Sequence, residues 1–464
     1  MKKWVLLRRF SQFVFFTLFI YILWATAYPL KGFLPAETFF KIDPLIMFFT
    51  SISERIVLPG ISFSFCMLLL TLVFGRFFCG WVCPLGSTID FIGSLKRKKP
   101  DKDNLTDRKL NKIKYFVLAI IGLFALLGIQ LAWVFDPMVI MARFVSFNFI
   151  HSGVIFIFFL AVCGTALLIK RFWCRALCPL GALYSLLARF SLLRRTVEDC
   201  KECKRCKSEC RMGAIKDDLS YVKAECILCM DCLYNCPENA TKFGWPVFNE
   251  NVRIRNDDSK GDISRRNFIF LLTSSFLLFG FRNRGKGLGR RRSVIRPPAA
   301  LKEDEFINRC IRCGNCIRAC VTNGLQPVIF QSGLEGIWTP QLVPEIGYCE
   351  YNCNLCGDVC PTGAIRRLSL KEKQNVKLGL AKIDRSICIA WAENKQCIVC
   401  EEHCPLPDKA IKVKKERVGN ITALRPLVDE RLCIGCGICQ NKCPVRPVRA
   451  IKVFPDNFVL PKSF

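Results

Sequence analysis

Twenty-four of the 30 cysteines in this 464-residue chain fall into six groups of four. In each, three cysteines lie close together and three residues separate the third from a fourth. A tight loop carrying three thiolates wraps one cubane, and the fourth ligand comes from the partner group of a two-cluster module. The pattern predicts six [4Fe–4S] clusters. Disulfides would not require repeated triplets at this spacing, and structural zinc motifs place their ligands as two well separated pairs.

The first two groups are Cys200, Cys203, Cys206 and Cys210, then Cys226, Cys229, Cys232 and Cys236. The ligand swap predicts that Cys236 completes the first cluster and Cys210 the second. Two of the C-terminal groups are regular: Cys310, Cys313, Cys316 and Cys320, and Cys433, Cys436, Cys439 and Cys443. Between them, Cys349, Cys353, Cys356 and Cys360 carry one extra residue in the first gap, and Cys388, Cys397, Cys400 and Cys404 a longer insertion with Trp391 in it. Spacing leaves two pairings open, first with second and third with fourth, or first with fourth and second with third.

The chain has room for about three domains. A hydrophobic content of 52% with 39 phenylalanines, concentrated before residue 190, points to a membrane portion. The net charge of +30 comes without a stacking platform or a basic recognition motif, so nucleic acid is not an expected partner. Only two histidines occur, His151 and His403, and no C-x-x-C-H; no haem is expected. His151 reads as a loop residue at a helix start and His403 as a surface residue.

Apolar runs at residues 10–27, 56–74, 115–135 and 154–169 are long enough, or nearly so, to span a bilayer. Lys2, Lys3, Arg8 and Arg9 precede the first, a run of Lys96, Arg97, Lys98 and Lys99 follows the second, and Arg189, Arg194 and Arg195 follow the fourth. By the positive-inside rule these ends are cytoplasmic, and so is the first ferredoxin module. Trp24, Trp81, Trp133 and Trp173 fit an interfacial belt, and Cys66 and Cys163 read as buried hydrophobes.

This half repeats itself. Asp43-Pro44-Leu45 matches Asp136-Pro137-Met138, and Arg76-Phe77-Phe78-Cys79 with Cys83-Pro84-Leu85-Gly86 matches Arg171-Phe172-Trp173-Cys174 with Cys178-Pro179-Leu180-Gly181. Two helix pairs related by a pseudo-twofold are expected. If helical, each C-x-x-x-C puts both thiols on one face, bringing Cys79, Cys83, Cys174 and Cys178 to one depth as a redox-active or metal-binding set. They also read as small interfacial residues left from a duplication. Asp43 and Asp136, each before a proline, read as helix caps and, more weakly, as quinone-site carboxylates on the outer face.

Ser264-Arg265-Arg266-Asn267-Phe268 opens an apolar run at residues 268–281 and looks like an internal twin-arginine export signal. Arg282, Arg284, Lys286, Arg290, Arg291, Arg292 and Arg296 follow without an acid and argue for retention. The C-terminal part is thus expected in the periplasm, with the cytoplasm as the other reading.

The membrane half, with its doubled C-x-x-x-C-P-L-G and the two-cluster module behind it, resembles the NapH-type membrane ferredoxins, related to NosR and the methylamine-utilisation accessory proteins. Residues 260–464 resemble the NapG-type four-cluster ferredoxins. The expected fold is multidomain: residues 1–195 an α-helical membrane domain of four helices in two repeats, 196–245 an α+β two-cluster ferredoxin module of bacterial type, 246–300 a basic linker whose apolar run is a candidate fifth helix, and 301–464 a four-cluster ferredoxin domain. The resemblance implies a multi-pass protein of a bacterial-type inner membrane, a quinol dehydrogenase component passing electrons from the quinol pool to a partner oxidoreductase or cytochrome, with quinone as an additional cofactor. A metal-reducing maturation factor is the alternative, since C-x-x-x-C-P membrane ferredoxins are associated with copper reduction. A membrane-anchored cytoplasmic electron hub is the second.

Overall fold

A computed structural model describes residues 2–30, 35, 37–95, 105–146, 153–197, 200–216, 218–245, 294–418 and 421–455. The Lys96 to Lys99 run, His151 and the twin-arginine-like segment with the bases up to Arg292 lie outside these residues. The chain divides into two compact units: Met1–Leu23 with Glu37–Gly285, and Trp24–Ala36 with Lys286–Phe464.

The first unit is multihelical. Helix α1 covers Lys2–Ala25, α2 Thr38–Ile42, α3 Pro44–Glu54, α4 Ile61–Phe74, α5 Phe77–Trp81, α6 Pro84–Leu95 and α7 Leu105–Leu126. The second repeat continues with α8 Ala132–Phe135, α9 Pro137–Ser146, α10 Gly153–Leu168, a single π-turn at Trp173–Leu177 and α11 Pro179–Ala188. Among the described residues one helix, Lys3–Ala25, is long and apolar enough to cross a membrane; Ile61–Phe74 and Gly153–Leu168 are apolar but shorter.

The expected third span, residues 115–135, is corrected. Its helix begins ten residues earlier, at Leu105, and ends at Leu126, because Gly128 takes a left-handed conformation (φ +75°) and the buried Gln130 side chain turns to the Thr50 hydroxyl.

This unit exposes apolar side chains on three helices and buries several polar and charged ones beside its apolar core. Leu6, Phe10 and Phe13 on α1, Phe63, Phe65 and Leu69 on α4, and Val154, Ile157 and Leu168 on α10 are exposed. Arg8, Gln12, Thr71, Arg76, Lys114 and Arg171 are buried. The tryptophans do not form a belt: Trp133 and Trp173 are buried, the Trp81 indole donates to the Leu228 carbonyl, and Trp24 is the exposed one of the four. Cys163 is buried as expected, whereas Cys66 lies on the exposed face of α4.

Strands β1 (Arg194–Val197) and β2 (Thr241–Gly244) pair antiparallel and bracket the first two cysteine groups. The second unit repeats the plan. Strands β5 (Leu380–Ile383) and β8 (Ile451–Phe454) bracket the last two groups, while an antiparallel bridge between Ala300 and Ile365 closes the flanks of the other two. The β6–β7 hairpin (Ile411–Val418 with Ile421–Val428) is inserted between the last two groups, and β3 (Leu325–Pro327) pairs with β4 (Pro340–Leu342) between the other two.

Candidate iron–sulfur and thiol sites

In the four regular groups the same two backbone positions are left-handed. They are Glu202 and Lys204, Leu228 and Met230, Arg312 and Gly314, and Gly435 and Gly437. Each kink folds three cysteines around one point, at a cost of about 1–2 kcal/mol wherever the residue is not glycine. Backbone N–H groups then turn toward sulfur: Glu202 donates to Cys200 Sγ (3.4 Å), Leu228 to Cys226 Sγ (3.4 Å) and Ala214 to Cys210 Sγ (3.3 Å).

The groups combine in pairs. In the second unit Cys310, Cys313 and Cys316 line one cavity with Cys360, and Cys349, Cys353 and Cys356 line another with Cys320. Cys388, Cys397 and Cys400 share a third with Cys443, and Cys433, Cys436 and Cys439 lie together beside Cys404. Of the two open pairings, this geometry has first with second and third with fourth. In the first unit Cys210 joins Cys226, Cys229 and Cys232. The pairs are themselves joined, since the Cys349 N–H donates to the Cys436 carbonyl (2.8 Å). That bond lies between the second site and the one at Cys433.

These residues fit a cluster. Burial pushes the Cys349 thiol up to about 11 and the Cys400 and Cys436 thiols up to about 12. At neutral pH such thiols stay protonated until a bound metal stabilises the thiolate, so assembly releases protons. Burial also lowers the Arg312 guanidinium to about 10 beside Cys310, while its N–H groups donate to the Ile337, Glu335 and Cys310 carbonyls. Among the described residues no group of three or more metal-ligating side chains is spaced to hold a single ion.

The other four thiols are brought together, but not on one helical face. Proline prevents that: a helix cannot run through the residue before it, so Pro84 and Pro179 start α6 and α11, with Cys83 and Cys178 just ahead of them. Their sulfurs accept from Gly86 N–H (3.4 Å) and Gly181 N–H (3.3 Å). Cys79, Cys83, Cys174 and Cys178 then line one cavity with Arg76, Trp173 and Pro137.

Two arginines cross between the repeats. Arg171 donates to the Cys79 carbonyl (3.0 Å), the Gly86 carbonyl (3.3 Å) and, through two bonds of 2.7 Å, to the Asp90 carboxylate. Arg76 reaches the opposite turn, with Nη2 against Gly181, and Nη1 donates to Glu225 (3.0 Å) and the Ala224 carbonyl (3.2 Å). Glu225 also takes Lys114, and Asp90 also takes Gln12 and Arg211. Arg211 and Arg8 extend the network to Asp231, beside Cys232. Asp90, Lys114, Arg211, Glu225 and Asp231 were not legible as site residues, because their partners are up to 149 positions away in sequence. The doubled Arg-Phe before each C-x-x-x-C was the available signal.

The C-x-x-x-C turn also touches a cluster loop. A methyl group on Gly80, between Cys79 and Cys83, would lie 2.2 Å from the Ile227 carbonyl oxygen. Gly80→Ala must therefore push the turn away from the Cys226 loop. Slower electron arrival at that loop in stopped-flow spectroscopy, with iron content retained, is the expected result; an unchanged rate would show the contact to be irrelevant.

Asp43 and Asp136 are fully buried caps. Asp43 accepts from Leu45 and Ile46 N–H, Asp136 from Met138 and Val139 N–H, and the two carboxyl groups face each other. Neither reaches the surface. Arg296 belongs to the second unit's fold, paired with Glu303 (2.5 Å) and stacked on Phe306. His403 is a surface residue whose ring bonds to the Val399 carbonyl.

A 4Fe-4S binding domain model matches twice, over residues 56–102 and 152–197, so each copy covers one C-x-x-x-C-P repeat. A second 4Fe-4S binding domain matches residues 426–449. The chain is 36% identical over 166 residues to the ferredoxin-type protein NapG of Escherichia coli (strain K12), covering 35% of this chain and 70% of that one. It is 33% identical over 169 residues to the methylamine utilization ferredoxin-type protein MauM of Methylorubrum extorquens (35% and 73%), and 31% over 173 residues to that of Paracoccus denitrificans (36% and 74%). No solved structure matches. The chain therefore belongs to the NapG and MauM family of ferredoxin-type proteins, iron–sulfur electron carriers with [4Fe–4S] clusters.

Proposed function

We propose that the chain is a multi-pass membrane protein that takes electrons from quinol and delivers them to a partner oxidoreductase or cytochrome, with six [4Fe–4S] clusters held by the 24 grouped cysteines. When bound, the clusters supply reversible one-electron transfer. Cys200, Cys203, Cys206 and Cys236 hold the first and Cys210, Cys226, Cys229 and Cys232 the second. In the second unit the ligand sets are the four assemblies described above. The first module is cytoplasmic and the C-terminal unit exported, on the strength of the twin-arginine-like segment. A membrane setting is supported by the exposed apolar faces on α1, α4 and α10, which would cost heavily in water and little in lipid, with the ionic groups paired in the interior as ionisable residues of membrane proteins are.

The quinol reading is carried by one cleft in the first unit. Trp4, Leu70, Phe74, Phe77, Trp81, Leu193, Leu228, Met230, Leu233, Lys242 and Phe243 line it. It is apolar, aromatic and open, as quinone sites require. It also touches both the Phe77–Trp81 helix that carries Cys79 and the loop between Cys226 and Cys232. Trp81 and Phe77 would clamp the ring, and the neighbouring thiols Cys79, Cys83, Cys174 and Cys178 are the candidate point where electrons enter.

Adding a menaquinol analogue to the purified protein should reduce the clusters, read by EPR. Leu70→Trp, which fills the cleft, should slow this at least tenfold. Absence of quinol-driven reduction, together with Cu(II) reduction that needs Cys79 and Cys174, would move the protein to the maturation class.

A further inference from the structure

We propose that Arg195 sets the reduction potentials of both clusters of the first ferredoxin module, holding one buried positive charge against a sulfur of the first and within reach of the second. The inference rests on the proposed reading that this module holds two clusters, and not on quinol as their source of electrons.

The strand puts the residue there. Side chains alternate along β1, and Arg195 is its inward one, 4% exposed at a position where an apolar residue is the ordinary choice. Its Nη2 donates to Cys206 Sγ (3.6 Å) and to the Thr241 hydroxyl of β2 (3.3 Å). Cys206 and Cys232 pack in one buried cluster with Ile215. The same cation therefore lies within electrostatic reach of Cys226 and Cys232, which belong to the other site.

Nε and Nη1 are buried without an acceptor, and among the described residues no carboxylate pairs with this guanidinium. A charge buried in that way is costly. Other buried cations near grouped cysteines are held by the backbone: Arg312 donates to three carbonyls, and Lys373 to those of Glu350 and Tyr351. Arg195 has a sulfur and one hydroxyl instead. The negative charge that offsets its burial is the charge of the sites themselves, since a cluster held by four thiolates is anionic and becomes more so when reduced. A fixed cation in a dry site stabilises the reduced form more than the oxidised one, and N–H groups aimed at sulfur act in the same direction. Both potentials are then higher than they would be without it, and the module is the better electron acceptor.

The test is a redox titration of the full chain in detergent, with dithionite and mediators, followed by EPR. The module's two signals are assigned by their change in Cys203→Ser and Cys229→Ser. Arg195→Met should lower both midpoints, each by at least a tenfold change in the reduction equilibrium, about 59 mV for one electron, and leave the other signals in place. Arg195→Lys keeps the charge and should hold both close to wild type. Lys201→Met removes an exposed charge from the same module and should move neither. Midpoints that stay put in Arg195→Met, with iron and sulfide retained, would overturn the proposal. Should Arg195→Met lose iron, Arg195→Gln, which keeps an N–H donor without the charge, is compared with Arg195→Lys. Lower midpoints in Gln alone support the proposal; equal midpoints, or loss of iron in both, make Arg195 a structural residue and overturn it. If no signal answers Cys203→Ser or Cys229→Ser, the two-cluster reading falls and this proposal with it, whereas unmoved midpoints with both signals present sink this proposal alone.

Discussion

An Asp90→Ala variant is expected to lose about 3–5 kcal/mol of unfolding free energy, the cost of removing one partner from a buried ionic network. The Asp90 carboxylate accepts two bonds from Arg171 and one from Gln12, and pairs with Arg211 (3.0 Å) and, more distantly, Arg8 (3.9 Å). Without it Arg8 and Arg211 share Asp231, and Arg171 keeps only carbonyl acceptors. The damage should spread to the ferredoxin module, because Arg211 and Asp231 adjoin Cys210 and Cys232. Denaturant titration in detergent, with the cluster absorbance followed in parallel, measures both effects. Asp90→Leu combined with Arg171→Met should recover most of the loss, since an apolar pair leaves no uncompensated charge. A loss under about 0.5 kcal/mol for Asp90→Ala would mean that water reaches this network.

The elements that could be read from sequence are those whose physics is local. Cysteine spacing is a property of one loop, and the left-handed turns at Glu202 and Lys204 or Gly435 and Gly437 close each regular group without help from distant residues. Asp43 and Asp136 cap their helices through bonds two and three residues away, which the Asp-Pro pairs announce. The pairing of the C-terminal groups was open because it depends on which strands meet, and β5 with β8 span 68 residues at their ends. The C-x-x-x-C motif was read with the wrong period. Pro84 and Pro179 carried the correction in plain view, since the residue before a proline leaves the helical region. Tryptophans expected in a belt were drawn inside by the indole N–H of Trp81 and the ring contacts of Trp173 with Phe135 and Phe158, neither of which leaves a trace in composition.

The pseudo-twofold also explains an asymmetry and yields the second large effect. Arg171 crosses to a carboxylate on α6, Asp90, fourteen positions after Arg76. The equivalent position in the second repeat, fourteen after Arg171, is Ser185 on α11. Arg76 thus finds a hydroxyl where its counterpart finds an acid. The ferredoxin loop supplies the missing charge: Glu225 pairs with Arg76 and Lys114, while the Ser185 hydroxyl donates to the neighbouring Ala224 carbonyl (2.6 Å). Glu225→Gln should then cost about 3–5 kcal/mol, leaving two buried cations against one amide. It should also loosen the module from the helices, visible as faster proteolysis between residues 197 and 226. Ser185→Asp, placed on the Glu225→Gln background, restores the carboxylate at the symmetric position and should recover about half of the loss by denaturant titration. On the wild-type background the same substitution buries a second carboxylate close to Glu225 and should destabilise. That opposite sign separates a restored charge balance from a generic surface effect. Equal effects of Ser185→Asp on both backgrounds would show that the two arginines are not related as the repeat requires.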